Sequence, residues 1–152
     1  MSKISPLAFI DPEAKIGENC EIGPFCFIDK NVEIGDNNVL MNSVSVLYGA
    51  RIGNGNVIFP GAVISAVPQD LKFQGEDTTA EVGDNNKIRE NVTINRGTAA
   101  KGKTCVGSGN LLMESVHVAH DAFVGNDCII GNGTKLAGEI IIDDHAIISA
   151  NV

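Results

Sequence analysis

The chain has no tryptophan, one tyrosine and six phenylalanines in 152 residues, so large aromatic rings cannot dominate its interior. Basic residues are also scarce, 11 against 19 acidic ones for a net charge of −8, which disfavours a nucleic-acid partner, because such binding neutralises phosphates with basic patches. The four cysteines, Cys20, Cys26, Cys105 and Cys128, form no C-x-x-C pair and match no zinc template, which leaves them as reduced core or surface residues. No stretch approaches the roughly 20 consecutive apolar residues of a membrane span, and the N-terminal MSKISPLAFIDPEAK lacks the apolar segment of a signal peptide. A cytoplasmic protein without a membrane span is therefore expected.

Aliphatic residues are abundant and evenly spaced. Stepping by six from Ile4 meets Leu, Ile or Val at every position to Ile64. The phase resumes at Val82, Ile88 and Ile94, and runs from Val106 to Ile148, with only Asp70, Glu76 and Ala100 departing from it. A helix buries one face through steps of three and four, so a period of six excludes helix for most of the chain. Glycine often follows the aliphatic residue, as at Gly17, Gly35, Gly53, Gly83, Gly107 and Gly125, where tight corners would demand positive φ. Four places after the aliphatic residue stands a small or compact side chain, such as Ala8, Cys20, Val32, Ala62, Thr98 or Ala122, suited to a narrow inner corner.

The pattern predicts short parallel strands, each turn of the coil stacking on the last at roughly 4.8 Å, in an all-β solenoid forming one domain over residues 1–152. Two polar segments interrupt it, 66–81 and 97–104, and are expected to leave the coil as external loops. Six of the eleven basic residues, Lys72, Lys87, Arg89, Arg96, Lys101 and Lys103, lie in that third of the chain, forming either a solvated face or a docking surface for something acidic.

Three histidines fall at positions that point outward or into corners: His117, His120 and His145. His145 reads as an ordinary surface residue. His120 is followed directly by Asp121, whose carboxylate could fix the imidazole tautomer and stabilise its charged form. Gly138 follows His120 by eighteen residues, one coil further along on the same face if three repeats make a coil.

The segments VPQDLKF from Val67, IRENVTINRGT from Ile88 and GNLLMESVHVAHDAFVGN from Gly109 resemble signature segments of the acyl-carrier-protein:UDP-N-acetylglucosamine O-acyltransferases, which begin lipid A synthesis. The likeness extends over nearly the whole chain from Ile4. It implies a left-handed parallel β-helix; the hand rests on the resemblance alone, since parallel crossovers are usually right-handed. It further implies transfer of a 3-hydroxyacyl chain from acyl carrier protein to the 3-hydroxyl of UDP-N-acetylglucosamine by a homotrimer, with no cofactor and no metal. In the family's terms His120 is the general base, Asp121 its orienting partner and the Gly138 backbone N–H an oxyanion donor. Gln69, Asp70, Lys72 and His117 match residues that contact substrate.

The chain departs from the family pattern at Asn95 and Glu139, where histidine is common, and it stops at Val152, before the further coils and helical domain that the resemblance leads one to expect. Weak nucleotide binding by the short chain is the corresponding expectation. The competing readings are another hexapeptide N-acyltransferase or acetyltransferase, a truncated non-catalytic solenoid, and a zinc carbonic anhydrase, for which His117 and His120 are poorly spaced.

Overall fold

A computed structural model describes residues 1–152 as 22 strands of two to four residues, without helix, and hence without any helix long and apolar enough to cross a membrane. Strands three apart in sequence pair in parallel, giving three sheets of eight, seven and seven strands that wrap a triangular prism. Each strand holds the aliphatic residue of the six-residue phase, and these residues point inward: Ile28, Ile58, Ile64, Ile88, Ile94, Leu112 and Ile130 are fully buried. They join the small corner residues in one continuous core of 28 apolar side chains.

Register identifies the two interruptions as insertions. On the first face Val39 pairs with Val57, eighteen residues on, but Val57 pairs with Lys87 and Lys87 with Leu111 before the spacing returns to eighteen at Ile129. The first excursion thus adds twelve residues and the second six, both whole repeats, which is why the phase survives them. The bounds are narrower than expected from the sequence. Ala66 belongs to the strand Val63–Ala66, Glu81 to the strand Thr79–Val82, and Lys103 and Thr104 to the strand Lys103–Val106, leaving loops at 67–78 and 97–102.

The corner chemistry also differs from the expectation. The left-handed residue of most corners lies three places after the aliphatic one, as at Asn19, Asn37, Asn85, Asp121 and Glu139 with φ between 55° and 64°. Asparagine and aspartate tolerate that region best among residues with a Cβ. The glycines directly after the aliphatic residue serve close stacking instead: a Cβ on Gly35 would lie 2.7 Å from the Gly53 carbonyl oxygen, and one on Gly53 2.6 Å from that of Gly83.

One inner corner carries polar side chains that the sequence pattern hid among the turn residues. Asn38, Asn56, Asn86 and Asn110 are all buried and form a ladder. The Asn56 side-chain amide donates to the Gly83 carbonyl and to Asn38 Oδ1, while its own Oδ1 accepts from the Asn86 backbone N–H at 2.9 Å. Asn86 repeats the pattern, and Asn110 donates its backbone N–H to Asn86 Oδ1 and its side-chain amide to the Gly125 carbonyl. Replacing Asn56 by alanine leaves several buried groups without partners, and we expect a loss of about 2–4 kcal/mol in chemical unfolding, since each unsatisfied buried group costs about 1–3 kcal/mol. An unchanged midpoint would mean that water takes over the ladder.

Candidate active site

His120 and Asp121 occupy the corner after the strand His117–Val118, with Asp121 in the left-handed position at φ 61°. That turn brings two adjacent side chains together: His120 Nδ1 lies 2.9 Å from Asp121 Oδ2. The carboxylate is fully buried and held from the preceding coil. Thr98 donates its backbone N–H to Oδ1 at 3.0 Å and its hydroxyl to Oδ2, while the Thr104 hydroxyl accepts the Asp121 backbone N–H at 2.8 Å. Burial alone would push the Asp121 carboxyl up, but the hydrogen bonds from Thr98 and His120 together hold it below the ordinary carboxylate value. An ionised Asp121 accepts, so Nδ1 carries the proton of the neutral imidazole and Nε2 keeps its lone pair.

On the other side of the ring lies Asp70 of the first loop, its Oδ2 3.9 Å from His120 Nε2. Asp70, Lys72, Glu76, Thr98, His120 and Glu139 line a cavity of about 180 Å³ between the two loops and the corner. Gly138 backs it from the following coil. A Cβ there would sit 2.6 Å from both Cε1 and Nε2 of the imidazole, so only glycine leaves the ring in place. Its N–H makes no hydrogen bond within the chain.

The residues singled out from sequence divide accordingly. His120, Asp121, Gly138, Asp70 and Lys72 come together around the cavity. Gln69 is exposed and lies outside its lining. His117 stands on the neighbouring flat face between Thr93 and Lys135, with Nδ1 2.7 Å from the Thr93 hydroxyl. Burial pushes its imidazole below the ordinary histidine value, and the charges of Lys135 and His120 add to the effect. His145 is an exposed corner residue. Within the chain no group of three His, Cys, Asp or Glu side chains converges as a metal site. Sequence reasoning missed Thr98 as a partner of Asp121, having read it only as a compact corner residue.

No family model matches the chain. Among solved structures it is similar to the UDP-N-acetylglucosamine acyltransferase LpxA from Bacteroides fragilis, at 76% identity and a TM-score of 0.97 over 97% of this chain and 58% of that one. LpxA from Acinetobacter baumannii matches at 44% identity and a TM-score of 0.96 over 97% of this chain and 58% of that one. The enzyme from Francisella novicida matches at 44% and 0.95 over 97% and 54%. The chain therefore spans little more than half the length of these proteins. Its fold is the left-handed parallel β-helix, the architecture of the hexapeptide-repeat acyltransferases. The chain belongs to the UDP-N-acetylglucosamine acyltransferase family.

The Asp121 clamp has a pH signature. Its carboxyl titrates lower in the folded chain than the roughly 3.9 of an unfolded aspartate, so the clamp contributes stability fully above about pH 4 and loses it as pH falls through the folded value. Thr98→Val removes the side-chain bond, and we expect stability near neutral pH to fall by about 2 kcal/mol with a flatter acid limb in unfolding followed against pH. An identical pH profile in the variant would show that Thr98 does not hold the carboxylate.

Proposed function

We propose that the protein transfers a 3-hydroxyacyl chain from acyl carrier protein to the 3-hydroxyl of UDP-N-acetylglucosamine, the first step of lipid A synthesis, in the cytoplasm. The observation that carries this reading is the His120 imidazole, anchored at Nδ1 by a buried carboxylate and lined up at Nε2 with a polar cavity. The names of the similar acyltransferases supply the sugar nucleotide; the acyl donor and the trimer come from the family resemblance.

In the proposed step Nε2 removes the proton of the sugar hydroxyl as its oxygen attacks the thioester carbonyl. Asp121 stabilises the imidazolium that forms. The carbonyl oxygen becomes an oxyanion, for which the free N–H of Gly138 is a donor. Collapse breaks the carbon–sulfur bond, and the imidazolium returns its proton to the departing thiolate, leaving an ester and a free thiol on the carrier protein. Asp70, Lys72, Gln69 and His117 hold the sugar nucleotide. The neighbouring subunit of a homotrimer completes the site.

The test is acyl transfer with UDP-N-acetylglucosamine and 3-hydroxyacyl carrier protein. His120→Ala is expected to lose about 10² to 10⁴ in kcat, the usual worth of a general base, and Asp121→Asn less, since it disturbs orientation and leaves the base in place. Unchanged turnover in His120→Ala would end the assignment. For the assembly, light scattering should give three times the chain mass, and a stable monomer would count against the shared site.

A further inference from the structure

Arg96 is only 8% exposed, yet no carboxylate pairs with it and its Nε has no hydrogen-bond partner. A buried cation left in that condition is costly unless something else stabilises it. The guanidinium lies between two aromatic rings, its carbon 5.0 Å from the centroid of Tyr48 and 5.3 Å from that of Phe73. Its only side-chain hydrogen bond is a long one, from Nη1 to the Tyr48 carbonyl at 3.4 Å. Tyr48 belongs to the prism, whereas Phe73 belongs to the first loop. The charge therefore joins the loop to the coil. A planar guanidinium can stack on two rings at once, which a lysine ammonium on its flexible stem cannot do with the same geometry.

The connection reaches the cavity. Phe73 closes a tight turn with Asp70: its N–H donates to the Asp70 carbonyl at 3.0 Å, and the Lys72 N–H donates to Asp70 Oδ1 at 3.0 Å. Wherever the Phe73 ring is fixed, the Asp70 carboxylate follows within one turn of chain. A second tie, from the Tyr48 hydroxyl to Asp77 Oδ1 at 3.0 Å, holds the returning limb of the same loop to the same tyrosine.

We propose that Arg96 is a positioning residue: its stack between Tyr48 and Phe73 clasps the first loop and sets the approach of Asp70 to His120. The effect on turnover rests on the acyltransferase reading; the effect on geometry does not. With three histidines in the chain, imidazole nitrogen–proton NMR resolves His120 from His117 and His145. Asp70→Asn defines how the His120 signal moves when the carboxylate is removed. Arg96→Lys, which keeps the charge and loses the double stack, and Phe73→Leu, which alters only the loop side, are expected to move the His120 signal in the same direction and to leave His145 in place. Transfer efficiency in both should fall about 10- to 100-fold, the scale on which misplaced groups lose rate.

Should Arg96→Lys fail to fold, Phe73→Leu decides the matter with the prism intact. A His120 signal that moves in Asp70→Asn but stays put in Phe73→Leu overturns the clasp. So does a signal indifferent to Asp70→Asn, because Asp70 then does not act on the ring. Absence of acyl transfer in the unaltered protein would defeat the functional reading while leaving the NMR comparison to judge the clasp.

Discussion

Everything in this structure depends on the distance between one coil and the next. Parallel strands from successive coils hydrogen-bond to each other, so the corners must stack at the same close interval as the strands. At Gly35 and Gly53 that interval leaves no room for a Cβ. At the neighbouring position it allows a short side chain whose oxygen takes a backbone N–H of the adjacent coil, as Asp36 does from Glu18 and Asn54 from Asp36. The composition follows from that geometry. Aliphatic residues fill the middle, while glycine, asparagine and aspartate crowd the edges, and large aromatic side chains have little place within.

The candidate site uses the same interval. Thr98 and Thr104 hold Asp121 from one side, and Gly138 supports the His120 ring from the other, so three consecutive levels of one corner supply the arrangement. Catalytic groups in many enzymes sit on loops supported by a scaffold. Here His120 and Asp121 are corner residues of the scaffold itself, and only Asp70, Lys72 and Glu76 are brought in by an inserted loop.

The regular part of this was readable in the residues. A six-residue phase states which side chains face inward, and the eighteen-residue coil that the family resemblance adds puts Gly138 next to His120. The adjacency of His120 and Asp121 needs only a corner. Contacts across the insertions were not readable, because the excursions at 67–78 and 97–102 change the spacing between paired coils. The ladder of Asn38, Asn56, Asn86 and Asn110 is spaced by eighteen, thirty and twenty-four residues, so it looks like scattered turn residues. The Thr98 clamp and the Tyr48–Arg96–Phe73 stack join residues whose separations reflect loop length. Positive φ was assigned to the wrong glycines for a related reason: close stacking and left-handed backbone both select glycine, and sequence does not distinguish them.

Because the Thr98 and Thr104 clamp, the His120–Asp121 corner and Gly138 belong to successive levels of a stack, the distances between these levels are a function of axial pitch. A pull along the prism axis would open both gaps together, whereas bending about the opposite edge would change them unequally. The solenoid is thus a stiff spring with the candidate site mounted across its turns, and its elastic modulus along the axis enters directly into how well the contacts around His120 are maintained.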